Sequence, residues 1–422
     1  MKNAFLKLSA LSIMLAGVCR AEFQVGNGAF QLDTTLMGVY DSNLRASVNN
    51  VEDYYLSFDP TLRYRSTGSR FNTEASIGLR ARRYLDNPDL NTNDANGRFD
   101  WKMDRIDGHT TAASLGLSYI ENTDANLDIN DLVRSKDFAA NATGEVLVAN
   151  RNLLSAAFTY NDDRRNIGSN QTRTNTRLGY GYEGFTDGTE LVFNYTYQQS
   201  KSTANKTDLE TIDQNANAIS ATLSHPLYDQ LVGAFVYGYR WLDRGQTETL
   251  LGLGNESGAF YSVDLKGQFL PKKYFPKTTG TFRLAYEEAD TPGLNDLNNK
   301  RLVGQVNVSW AAREHTTVGA FASRSQDLSI NDNTIVNENV GVTLKQAVGE
   351  FIDTNFSLIY TNADFVNLDR TDNRYEARAG ANYRINRLWS SGVSYRYIDS
   401  KSNTSVANYT RHVVTGTVTY AF

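Results

Sequence analysis

The last eleven residues, His412-Val413-Val414-Thr415-Gly416-Thr417-Val418-Thr419-Tyr420-Ala421-Phe422, alternate in character. Counting back from Phe422 in steps of two gives Tyr420, Val418, Gly416 and Val414, while Ala421, Thr419, Thr417 and Thr415 fill the positions between. Successive side chains of a strand point to opposite faces, so this stretch has one apolar face and one small, polar face. Such a strand suits a place with lipid on one side and water on the other.

The same two-residue period recurs upstream. Tyr54, Leu56, Phe58, Leu62 and Tyr64 oppose Ser57, Asp59, Thr61, Arg63 and Arg65, and Ile77 and Leu79 oppose Glu74, Arg80 and Arg82. Leu191, Phe193, Tyr195 and Tyr197 share one face, as do Phe235, Tyr237, Tyr239 and Trp241. Toward the end, Tyr375, Ala377, Ala379, Ala381 and Tyr383 oppose Arg374, Glu376, Arg378, Asn382 and Arg384. A slip of one residue in these strands would put guanidinium groups into lipid, which fixes the register. No long stretch carries apolar residues at helical spacing, so the chain reads as all-β.

The connections alternate in length. Short ones fall near Thr67 to Ser69, Asp107 to His109, Ala149 to Arg151, Phe185 to Gly188, His225 to Tyr228, Ala312 to His315, Val348 to Glu350 and Asn386 to Leu388. Longer polar stretches lie between them: Leu85 to Asn96, Asn122 to Ser135, Ser200 to Asp213, Asp290 to Asn299, Gln326 to Asn337 and Ser400 to Ala407. Short periplasmic turns and long extracellular loops belong to a transmembrane antiparallel up-and-down outer-membrane β-barrel. Counting hairpins from Phe30 gives twenty strands, with eighteen as the alternative. Tyr54, Tyr55, Tyr64, Tyr84, Trp101, Trp241, Trp310 and Trp389 sit near strand ends, where aromatic girdles are expected. A soluble sandwich or propeller fits less well, because the outward stripes have no complementary buried layer and no blade motif recurs.

The amino-terminus carries Lys2 and Lys7, an apolar run from Leu8 to Val18, and a Cys19-Arg20-Ala21 cleavage pattern. Residues 1–21 are thus expected to be a signal peptide, leaving 22–422 as the barrel. Cys19 raises a lipoprotein alternative, which Val18 before it disfavours. Removing Lys2, Lys7 and Arg20 leaves 39 basic against 47 acidic residues, a net charge of about −8. With no basic arm or patch interleaved with aromatics, nucleic-acid binding is not expected.

Enzymatic chemistry is not expected either. His109, His225 and His315 read as turn residues and His412 lies on the apolar face of the last strand, with no Ser-His-Asp arrangement or metal-ligand spacing. Asp89 to Asn93 resembles the start of a calcium loop, but Asp94 stands where the turn glycine belongs, so a solvated polar tip is expected. No cofactor is implied.

The inward face is more informative. Arg63, Arg65, Arg80, Arg82, Arg173, Arg177, Lys266, Arg283, Arg301, Arg374, Arg378, Arg384, Arg396 and Arg411 fall on the polar faces of their strands. Acidic partners on those faces read as fewer: Asp59, Glu74, Glu183, Asp264, Glu287, Asp353 and Glu376. The lumen is therefore expected to be net positive, a property that would admit anions and hydrogen-bond sugars. The competing reading is that the arginines brace the wall by pairing with acids and carbonyls.

Two resemblances follow. The aromatic end, Tyr420 and Phe422, resembles the signal by which the barrel assembly machinery recognises its substrates. Tyr40-Asp41-Ser42-Asn43-Leu44, Asp53-Tyr54, Phe58 to Tyr64, Gly78 to Tyr84 and Tyr239 to Asp243 resemble the putative β-barrel porin type 2 family. Members are associated with capsule and exopolysaccharide systems, which implies a barrel serving as outer-membrane exit for a polysaccharide cargo. It also implies a periplasmic export protein as partner, in a membrane of lipid and lipopolysaccharide. The alternatives are a general or saccharide-selective uptake porin, and a non-conducting surface barrel with an adhesive or envelope-stabilising role.

Overall fold

A computed structural model describes residues 23–421, apart from 107–108, 127, 150, 185–187, 205–209, 229, 246–254, 269–272, 274, 288–300, 330–333 and 367. The expected signal peptide, Cys19, Phe422 and the whole stretch from Asp290 to Asn299 lie outside the described residues, as does the side chain of Arg301.

A short strand, β1 (Phe23–Val25), folds back on the start of β2 (Gly28–Asp41). The chain continues through β3 (Asp53–Thr67), β4 (Phe71–Tyr84), β5 (Thr92–Met103), β6 (Thr111–Asn126), β7 (Asp131–Ala149), β8 (Asn152–Arg165) and β9 (Ser169–Glu183). Next come β10 (Glu190–Ala204), β11 (Glu210–Tyr228), β12 (Leu231–Arg244), β13 (Glu256–Gly267), β14 (Thr278–Glu287) and β15 (Arg301–Arg313). The last are β16 (Thr316–Leu328), β17 (Thr334–Val348), β18 (Ile352–Phe365), β19 (Arg370–Arg384), β20 (Trp389–Ser402) and β21 (Tyr409–Ala421).

Each strand from β2 pairs antiparallel with the next, and β21 returns to β2 with Thr35 opposite Thr419 and Asp41 opposite Val413. The result is a closed up-and-down barrel of twenty strands, the number expected from the hairpin count. Closure leaves no unpaired sheet edge, so every backbone group in the wall has a partner without water, as a bilayer demands. With ordinary strand spacing and tilt, a circular barrel of this size is about 40 Å across.

The expected faces are observed. Phe193, Ile219, Tyr237, Val340, Leu358 and Val414 are exposed on the outside, while the ladder carries Ser, Thr, Asn and charged residues on the inside. Most short turns fall where expected, and the first and last described residues, Phe23 and Ala421, lie at the same end. By the orientation of outer-membrane barrels this end is periplasmic.

Three expectations need correction. The stretches Asn122 to Ser135, Ser200 to Asp213 and Gln326 to Asn337 are mostly strand: β6 runs to Asn126 and β7 starts at Asp131, β10 runs to Ala204 and β11 starts at Glu210, and β16 runs to Leu328 and β17 starts at Thr334. Above the apolar belt the ladder continues with polar residues on both faces, so the hydrophobic stripe ends before the strand does. His225 is likewise a strand residue, because β11 carries on through a register shift at Pro226. Finally, Tyr55 and Tyr84 do not join the outer girdle. Their register turns them inward, where they pack with ring centroids 4.8 Å apart and Tyr84 is buried.

Candidate functional site: the lumen wall and its mouth

The wall brings most of the inward cations onto carboxylates. Arg63 reaches Asp33 at 3.0 Å, Arg65 reaches Glu74 at 2.7 Å and Arg80 reaches Asp59 at 3.0 Å. Arg82 pairs with Asp124 at 3.3 Å and also donates to the Thr123 carbonyl. Arg283 lies 3.7 Å from Asp264, and Arg378 and Arg396 share Glu376, the latter at 2.7 Å. Arg173 donates to Gln171 at 3.4 Å, whereas Arg177 borders a cavity between β7 and β11 with Glu145 and Glu190. Arg374 lies on β19 opposite Ser400, and Arg384 ends that strand at the periplasmic side.

These pairs change the expected electrostatics. Asp33, Asp41, Asp53, Asp94, Asp124 and Asp372 all lie on the inward face, although the sequence stripes did not mark them as partners. Their positions follow from the register between neighbouring strands, which a single strand's pattern cannot reveal. Much of the expected positive excess is cancelled, and the guanidinium groups serve chiefly as braces.

The second feature is the extracellular mouth. The segment 42–52 between β2 and β3 folds inward, with Asn43 and Ala46 fully buried. Asp41 starts it: its carboxylate takes both Arg411 Nε at 3.0 Å and Nη2 at 2.6 Å, and accepts the Asn43 amide at 3.0 Å. The Asn43 side chain donates to the Ser47 carbonyl at 2.7 Å and to Asn50 Oδ1 at 2.8 Å. The Leu44 amide donates to the Val51 carbonyl, which closes the segment into a compact loop. Ala46 packs with Ile398 and Tyr409 from the adjacent wall and with Ala125 from β6.

A neighbouring carboxylate holds the next loop. Asp53, almost fully buried, accepts the amides of Tyr54, Asp86 and Asn87 and the Asn87 side chain, at 2.7 to 3.1 Å. The suspected calcium loop is resolved by its neighbours: Pro88–Leu90 is a 3-10 turn and Asp94 lies in β5, accepting the Thr92 and Thr123 hydroxyls.

The β6–β7 tip completes the mouth. Arg45 meets Asp131 at 3.7 Å, and Arg370 on β19 donates to the Asp128 carbonyl at 2.7 Å. Arg370 is itself fixed by Asp372 and lies over the Phe365 ring at 4.3 Å. Seven strand steps separate β19 from β6 round the wall. In a circular barrel those walls would stand roughly 35 Å apart. Contact between them means that the tips lean over the pore and narrow it. Sequence reading missed this site, although Tyr40 to Leu44 and Asp53 had stood out as motif residues.

Three of the four histidines have side-chain partners. His109 contacts Arg70 at 3.2 Å, His225 contacts the Thr189 hydroxyl at 2.7 Å, and His412 contacts the Tyr395 hydroxyl at 2.8 Å.

Comparison with known proteins agrees with this geometry. Residues 276–422 match the model of the family described as "Putative beta-barrel porin 2". This is the family read from the sequence, although the motifs behind that reading lie upstream of the matched residues. No curated protein matches the chain. The ferric-catecholate import receptor Fiu from E. coli K12 is a similar solved structure, with a TM-score of 0.53 at 8% identity over 95% of this chain and 82% of that one. The ferric enterobactin receptor PfeA from Pseudomonas aeruginosa gives 0.53 at 9% identity, covering 95% and 81%. The siderophore receptor PiuA from Acinetobacter baumannii gives 0.51 at 9%, covering 95% and 82%. At such identities the likeness establishes the fold, that of outer-membrane β-barrels.

Proposed function

We propose that this porin-like barrel, matched to that family over residues 276–422, is a passive outer-membrane conduit through which a surface polysaccharide leaves the cell. The observation that carries the reading is the chemistry of the wall. Thr281, Asn307, Ser309, Thr317 and Thr343 present hydroxyls and an amide, while the arginines are largely occupied by carboxylates. Such a surface exchanges hydrogen bonds with a hydrated glycan, binding it weakly enough to let it move on, which a passive conduit requires. No group on the chain is assigned a catalytic task. The partners proposed are the polymer, a periplasmic export protein that delivers it, the assembly machinery that reads the carboxy-terminal strand, and the surrounding lipid and lipopolysaccharide.

The narrowed mouth favours a second reading, a saccharide-selective uptake porin in which the segment 42–52 acts as a size filter. Import is the activity named for Fiu, and it comes to this chain as a proposal only. Planar-bilayer recording separates the two. A conduit should be transiently blocked by long glycans added from the periplasmic side, whereas an uptake porin should pass short sugars and ignore long chains. A barrel that inserts but never conducts would overturn both in favour of a surface role.

A further inference from the structure

A cavity of 530 Å³ opens on the lumen wall across β13 to β17, in the periplasmic half of the barrel. Lys266 stands at one end and Lys345 at the other. They are four strands apart and four residues apart along the strands, roughly 23 Å at ordinary strand geometry. Between them lie Thr281, Asn307 and Thr343, and the Phe321 ring. That ring reaches over Gly341, where a Cβ would come within 2.5 Å of it. Gly319 makes similar room, since a Cβ there would meet the Thr343 hydroxyl at 2.5 Å.

The two lysines differ from the lumen arginines. Neither forms an ion pair or side-chain hydrogen bond among the described residues. Of the nearby acids, Asp264 lies against Arg283 at 3.7 Å, and Asp353, two register positions from the residue opposite Lys345, forms no ion pair with it. Lys277, exposed at the start of β14, adds a further cation at the same end.

We infer that this groove is a binding site for an acidic oligosaccharide segment, the lysines taking its carboxylates, Phe321 a sugar face, and the hydroxyls and Asn307 its hydroxyl groups. An aromatic ring with polar groups round it forms an amphipathic surface matching the sugar's own. A pair of ammonium groups selects uronate over neutral sugars. Its place near the periplasmic opening makes it the first wall surface met by a polymer on its way out. The inference rests on the saccharide-conduit reading and gives it a charge class.

Calorimetry on the detergent-solubilised full chain tests the groove without requiring transport. Hexagalacturonate should bind, with affinity falling as salt rises, and maltohexaose should bind more weakly. The double variant Lys266→Gln with Lys345→Gln should lose about tenfold or more of the hexagalacturonate affinity and leave maltohexaose unchanged. Phe321→Ala should weaken both. Heat-modifiable migration of each variant confirms that the barrel has formed. Equal affinity for the two sugars, unchanged binding in the double variant, or no hexagalacturonate binding overturns the inference. Lysine-dependent binding in a protein whose deletion leaves surface polysaccharide intact would instead remove the conduit and keep the groove.

Discussion

Asp41 and Arg63 show how differently two charged residues of one wall are used. Asp41 is almost fully buried, holds Arg411 with two hydrogen bonds and fixes the Asn43 amide. Replacing Asp41 by alanine leaves a largely buried guanidinium without its partner, so Asp41→Ala should destabilise the barrel by about 3 kcal/mol or more. Arg63 is 58% exposed and bridges Asp33 in water. Arg63→Ala should cost less than about 1 kcal/mol. Urea titration of the two variants, followed by the heat-modifiable band, checks both, and equal losses would contradict the assignment. Sequence marked Arg63 as inward because its strand alternates cleanly. It could not show that Asp33 lies beside it, since that depends on the pairing of β2 with β3.

At the scale of elements, the strands were legible where they cross lipid and the loops were not. Alternation placed Ala379 outside and Arg378 inside on β19, and the ladder bears this out. Ala379→Arg should therefore cost about 2 to 4 kcal/mol of folding stability in lipid vesicles. Arg378→Ala, which only releases Glu376 to its other partner Arg396, should cost much less. Comparable costs for the two would mean that the register is wrong. Beyond the belt, polar residues on both faces hide the continuing strands, which is why Asn122 to Ser135 reads as a loop. The inward fold of segment 42–52 was hidden for another reason. Its contacts join residues far apart in sequence, such as Asn43 and the Thr410 carbonyl at 3.4 Å. Removing residues 44–51 should raise single-channel conductance at least about twofold, because that segment folds inward at the extracellular mouth. An unchanged conductance would place the constriction elsewhere.

For the whole molecule, twenty strands and closure between the first and last barrel strands followed from periodicity and hairpin count. The balance of charge inside did not, because it is a property of pairs. With arginines neutralised along much of the wall, a reconstituted channel in a potassium chloride gradient should show only weak ion selectivity. A strong anion preference would restore the cationic lumen expected from the sequence. The width, the hydroxyl-lined wall and the family match together support passage of a hydrated glycan. The most direct test is a clean deletion with complementation, scoring surface polysaccharide, periplasmic polymer and uptake of small solutes in the same cells. Loss of surface polymer with its accumulation in the periplasm, at unchanged small-solute uptake, is the result this account predicts. Full surface polysaccharide in the deletion strain would contradict it.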